Sequence, residues 1–171
     1  MVTLSHGGSS LMVRPLGAEL TSWTVDGLEL LWQADPDFWP RSSPILFPVV
    51  GQCVGGAIRI GDQRYPMSRH GFASQMPFTT MECTDTAAHF LLTDTPETRQ
   101  HFPFAFELKV SYRLEAASVT CAFSVTNTGA EPMPYAIGLH PGFNWPDRNT
   151  GSDAKIVFEA REQTGVPVIT P

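Results

Sequence analysis

Residues 104–114 read FAFELKVSYRL. Phe104, Phe106, Leu108, Val110, Tyr112 and Leu114 fall on one parity, and Glu107, Lys109, Ser111 and Arg113 on the other. Period two over that length describes a β-strand with one buried and one wet face, because successive side chains of a strand point to opposite sides. Its partner follows at once: Val119, Cys121, Phe123 and Val125 alternate with Thr120, Ser124 and Thr126, and Glu115 to Ser118 is the hairpin between them. Asn127-Thr128-Gly129 turns the chain again, and Met133 to Leu139 is expected to return as a strand ending at His140.

Working outward, the same grammar recurs. Thr21 to Trp32 reads as two strands about an Asp26-Gly27 turn. Ser43 to Val50 is a short buried strand or extended segment. Gly51 to Gly61 is a glycine-rich turn leading into Ile58 and Ile60, with Gly61-Asp62 as a further tight turn. Phe78 to Cys83 and Ala88 to Thr93 read as paired strands, and Ile156 to Phe158 and Val166 to Ile169 as two more short apolar runs. One short helix is expected: Thr95 caps it, Pro96 sits at its first position, and Pro103 limits it to about two turns. Many short strands with turns between them mean an all-β antiparallel sandwich or open barrel, in one domain over residues 1–171.

Composition narrows the partners. Charged residues are 16% of the chain and the net charge is −6, with no basic run, which argues against nucleic acid or an anionic membrane surface. Cys53, Cys83 and Cys121 show no CxxC spacing, so reduced thiols are expected. MVTLSHGGSS lacks the basic and apolar regions of a secretion signal, and the longest apolar run, Pro44 to Gly51, is broken by Pro48. A cytoplasmic protein is expected.

Two histidines have a setting the others lack. His140 lies in YAIGLHPGFN (135–144), where an apolar strand end meets a Pro-Gly loop, and His70 lies in RHGFAS (69–74), beside glycine and phenylalanine. A histidine at a strand–loop junction is held by the sheet yet faces solvent, which suits a general acid or base. A hydrogen-bonded core histidine fits the same residues. The 33–41 loop carries Phe38 and Trp39, which fit a sugar-stacking platform or a clamp of the loop onto the core. No HxH or HxxxH metal spacing, GxSxG elbow, GxGxxG or P-loop occurs.

PILFPVVG (44–51), RHGFAS (69–74) and GLHPGFN (138–144) resemble the aldose 1-epimerase (mutarotase) family, in particular its LacX-like branch. LGAELTSW (16–23), LLWQADPDFW (30–39), FPFAFELKVSYRL (102–114) and VTNTG (125–129) fit the same order. The resemblance implies a galactose mutarotase-like supersandwich of antiparallel strands. It implies catalysis by His70 and His140, both facing the ring oxygen of an aldose, with His140 as the acid. It implies no metal or redox cofactor; Gln52 and Asn144 are expected to contact the sugar, and Trp39 or Phe72 to stack on its apolar face. Two departures accompany it. Gln52 stands where the family commonly has a sugar-binding arginine, and the family's catalytic glutamate belongs to a C-terminal region beyond Pro171. Asp147, Glu159 and Glu162 are nearby carboxylates, none matching that base.

The expectation is therefore an aldose 1-epimerase-like protein, shortened at its C-terminus and acting on a small-molecule aldose. The alternatives are a non-catalytic sugar-binding module and an interaction fragment. The apolar Val166 to Ile169 edge adds the expectation of a homodimer or other self-association.

Overall fold

The structure, a computed structural model, describes residues 1–144, 157, 159 and 160. In chain order its strands are β1 (Val2–His6), β2 (Ser9–Arg14), β3 (Glu19–Val25), β4 (Leu28–Glu29), β5 (Ile45–Leu46), β6 (Ala57–Ile60), β7 (Gln63–Pro66), β8 (Thr79–Cys83), β9 (Ala87–Thr93), β10 (Phe106–Leu114), β11 (Val119–Asn127) and β12 (Gly138–Leu139). β1 to β4 form one antiparallel meander and β8 to β11 another, while β5 pairs with β12 and β6 with β7.

The two four-stranded sheets face each other across the core. Leu4, Leu11, Val13 and Leu20 come from the first; Phe90, Leu92, Phe106, Leu108, Val110, Tyr112 and Leu114 come from the second. β10 shows the alternation its sequence demands, with Glu107, Lys109 and Arg113 exposed between buried neighbours. Each such Leu, Val or Phe taken out of water stabilises the fold by about 1.5–3 kcal/mol before the entropy of ordering is counted. Polar ties close the sandwich: the Tyr112 hydroxyl donates to Ala18 O at 2.8 Å, and Ser5 N–H donates to Asp85 O at 2.7 Å.

The hairpin register of β10 on β11 sets Leu108 opposite Val125, Val110 opposite Phe123, Tyr112 opposite Cys121 and Leu114 opposite Val119. The β10 members of these pairs are buried, whereas Val119, Cys121, Phe123 and Val125 are only half-buried. The core thins toward β11, which among the described residues pairs with β10 alone.

Several expectations change. β1 and β2 form a hairpin that the sequence reading did not contain, although Val2 and Leu4 alternate before Gly7-Gly8 and Leu11 and Val13 after it. Met133 to Leu139 is not a full strand. Only Gly138–Leu139 pairs, with β5, since Pro132 and Pro134 have no N–H to give a ladder. Ser43 to Val50 is a short buried strand and extended segment as expected, with Ile45–Leu46 as its paired part between Pro44 and Pro48. The helix is a single 3-10 turn, Thr98–Gln100. Its cap position is Glu97, not Thr95, which instead exchanges bonds with Thr98: the Thr95 hydroxyl accepts from Thr98 N–H at 3.1 Å, and the Thr98 hydroxyl accepts from Thr95 N–H at 2.8 Å. Val166 to Ile169, Ile156 and Phe158 lie outside the described residues; Val157 is exposed.

Candidate active site

The site is built on residues 42–51. Ser42 to Pro48 are all buried, because apolar Ile45, Leu46 and Phe47 pack into the core and the flanking Pro44 and Pro48 need no ladder donor. β12 docks on this segment, with Gly138 opposite Leu46 and Leu139 opposite Ile45. The pairing runs on past the strand: His140 N–H donates to Pro44 O at 3.1 Å, and Gly142 N–H to Ser42 O at 2.8 Å. The same segment takes the 70–73 loop. Phe47 N–H donates to His70 O at 3.2 Å, and Phe47 O accepts from Phe72 N–H at 3.0 Å and Ala73 N–H at 3.2 Å. One buried segment thus gathers both histidine loops, and the rings of His70 and His140 stand 6.0 Å apart between centroids.

His70 is held in a defined protonation state. Its backbone is in the left-handed region, φ 65°, where a non-glycine residue persists only under constraint. The constraint is a double clamp on Gly51. His70 N–H donates to Gly51 O at 2.9 Å, and the ring Nδ1 accepts from Gly51 N–H at 3.0 Å. An Nδ1 that accepts leaves the proton on Nε2. Burial, then the neighbouring His140 and Arg69 charges, hold the His70 pKa below the ordinary histidine value of 6.5. His70 therefore presents a neutral Nε2–H donor. His140 is exposed, and Trp39 lies against it with ring centroids 5.2 Å apart.

Trp39 is half-buried, and the Trp32 indole N–H donates to its carbonyl at 2.8 Å. In the 33–41 loop Trp39 stands beside His140, while Phe38 is exposed with its ring edge-on to Trp32. The Pro-Gly after His140 is needed for space: a Cβ on Gly142 would come within 2.8 Å of the Trp39 ring and 2.9 Å of Trp32 Cβ.

The remaining predicted residues divide. Gln52 is exposed and follows Gly51 directly, so it stands at the edge of the histidine pair. Phe72 is spent on packing: its ring meets Phe47 at 6.4 Å and Phe106 at 6.3 Å. It also borders a separate cavity of about 260 Å³ with Met67, Met76 and His101. Asn144 is spent on the scaffold, its amide nitrogen donating to Glu29 O at 3.1 Å and Leu31 O at 2.9 Å. Glu159 is exposed; Asp147 and Glu162 lie outside the described residues.

Among the described residues no carboxylate is hydrogen-bonded or ion-paired to either imidazole, and no three His, Cys, Asp or Glu side chains are grouped to hold a metal. No helix among them is long and apolar enough to cross a membrane. Sequence reasoning missed Glu19, a fully buried carboxylate behind the site whose only trace in the sequence is an acid within the apolar LGAEL run.

An antiparallel sandwich with two histidine loops docked on one buried segment defines a galactose mutarotase-like fold. The aldose 1-epimerase family model matches residues 1–169, and the chain belongs to that family. The plasmid-borne protein LacX of Lactococcus lactis subsp. lactis is 35% identical over 99% of this chain. This chain spans 60% of that relative's length. Among solved structures, a galactose mutarotase related enzyme from Lactobacillus acidophilus superposes with a TM-score of 0.83 and 35% identity, over 85% of this chain and 49% of its own. A galactose mutarotase-like protein from Lactobacillus casei gives 0.81 and 37%, over 84% of this chain and 50% of its own.

Proposed function

We propose that this chain binds a free aldose at the His70–His140 pair and supplies the acid side of anomer interconversion. The observation that carries the reading is the pair itself: two imidazoles 6.0 Å apart, one held as a neutral donor, with the Trp39 indole tilted against the other. In this reading the sugar ring oxygen sits between the two rings. His70 Nε2–H orients it by a hydrogen bond, and His140 delivers a proton as the C1–O5 bond breaks. A base removes the proton of the C1 hydroxyl in the same event, so the product is the neutral open-chain aldehyde. Rotation about C1–C2 and the reverse proton transfers close the other anomer. Both transfers are needed together because neither an alkoxide nor an oxocarbenium ion is stable near neutral pH. Trp39 offers an apolar face to the sugar C–H groups, and Gln52 an uncharged hydrogen-bonding amide.

The base is the open part. With no carboxylate at the pair among the described residues, a sugar-binding module that keeps the cleft without turnover is the second reading. One experiment separates them. Polarimetry of a freshly dissolved α-aldose, with and without the protein, is run beside a sugar titration followed by tryptophan fluorescence, in the wild type and in His140→Asn. Accelerated mutarotation that His140→Asn abolishes supports the enzyme. Binding without acceleration moves the reading to the sugar-binding module, and no binding at millimolar sugar removes both.

A further inference from the structure

The carboxylate of Glu19 is fully buried, and none of the chemistry above uses it. Its contacts lead to both histidine loops. Oε1 accepts from Ser42 N–H at 2.8 Å and from Ser43 N–H at 3.2 Å. Ser42 O in turn accepts from Gly142 N–H, and Pro44 O, one residue beyond Ser43, accepts from His140 N–H. Oε2 is paired with Arg14 and, at 3.5 Å, with Arg41 Nη1. The same Arg41 Nη1 donates to Ser74 O at 3.3 Å, four residues past His70. Gly17, two residues before Glu19, also lies on the Ser74 backbone, where a Cβ would come within 2.6 Å of Ser74 O. Ala18 O is held by the buried Tyr112 hydroxyl, so the strut is rooted in the core strand β10.

We infer that Glu19 and Arg41 are positioning residues: together they brace the 42–44 segment against the 70–74 loop and so set the spacing of the two imidazoles. Charged hydrogen bonds are short and directional, and a carboxylate that bridges backbone amides to a guanidinium transmits position better than apolar packing does. The two side chains divide the task. Glu19 fixes the strand edge that carries His140, and Arg41 joins it to the loop that carries His70. Neither contacts a sugar in this arrangement. The inference rests on the proposed sugar site for its consequence, and its geometry is testable without turnover.

The reporter is the His70 ring. Its titration midpoint is lowered by burial and by the His140 and Arg69 charges, so it rises toward the ordinary value if the pair opens. Imidazole NMR titrations and the ring–ring nuclear Overhauser contact are measured in the wild type, Arg41→Met, Arg41→Lys and Glu19→Gln, beside thermal melting and the sugar titration. A folded Arg41→Met is expected to lose the ring–ring contact, raise the His70 midpoint and weaken sugar binding about ten- to a hundredfold. Arg41→Lys keeps the charge and is expected to recover only part of the geometry. Glu19→Gln keeps an acceptor for Ser42 and Ser43 and is expected to resemble Arg41→Met if it folds. An unchanged midpoint and ring contact in a folded Arg41→Met would overturn the inference. So would an unfolded Arg41→Met, which would make the pair a pillar of the core rather than a link between loops. If the wild type binds no sugar, the proposed function fails while the NMR arms still decide whether Glu19 and Arg41 set the spacing.

Discussion

Gly71→Ala should cost far more than its one added methyl suggests. Gly71 follows His70 in the chain, has φ 75°, and forms a parallel bridge with Phe47. An L-residue held at that φ costs roughly 1–2 kcal/mol. Lack of space costs more: an added Cβ would overlap Phe47 O, Phe47 C and Pro48 N, all backbone atoms of the buried segment. Backbone there cannot turn aside, so the loop must lift, and three backbone hydrogen bonds between Phe47 and residues 70, 72 and 73 are at stake. At about 1 kcal/mol each, their partial loss brings the total to about 3–4 kcal/mol. For a chain of 171 residues that is a fall in melting temperature of about 10 °C. Gly61→Ala is the control: φ is 58°, yet nothing lies within 4 Å of the added Cβ, so only the strain of about 1 kcal/mol is expected. Urea unfolding of both variants at constant m-value measures the difference. Equal destabilisation of the two would refute the claim that close approach to Phe47 makes Gly71 indispensable.

Two further outcomes follow from titration behaviour. His70 has a folded pKa below its unfolded value of 6.5, so the unfolded chain binds more protons between the two values, and its contribution to stability is complete above 6.5 and lost as pH falls below it. Stability against urea should fall from pH 7 to pH 5 less steeply in His70→Asn than in the wild type, and an identical slope would reject the assignment. Burial pushes the Cys121 thiol up to about 11, leaving a thiolate fraction on the order of one in a thousand at pH 8, whereas Cys83 is exposed. Cys83→Ser should therefore remove the fast phase of a thiol-reagent reaction, and Cys121→Ser should leave it intact.

Much of the sandwich was legible because a half-buried strand must alternate. Phe104 to Leu114, its Val119 partner and the Asp26-Gly27 hairpin all announce themselves by period two or by turn chemistry, both of which are local. The 70–74 and 138–144 motifs marked the two histidines for the same reason: unusual residues sit together in the chain. The β1–β2 hairpin about Gly7-Gly8 is local and was missed all the same; the other failures depend on a distant partner. Met133 to Leu139 read as a full strand, but only Gly138–Leu139 joins a ladder, and the partner, β5, lies about ninety residues earlier. Phe72 and Asn144 show the same dependence: the Phe72 ring packs against Phe47 and Phe106, and the Asn144 amide nitrogen donates to the Glu29 and Leu31 carbonyls, partners that no local pattern names.

Sequence by itself determined the all-β class, the face each β10 residue turns inward and which two histidines stand at strand–loop junctions, since backbone periodicity and side-chain chemistry are properties of the chain. Only the tertiary structure decided that the pair meets, that His70 is a neutral donor, and that Glu19 stands behind both loops. Those facts depend on Gly51, Pro44 and Ser42 offering backbone atoms to residues up to 100 positions away. A peptide carbonyl or N–H is the same at every position, so nothing in the order of side chains records which distant partner it will find.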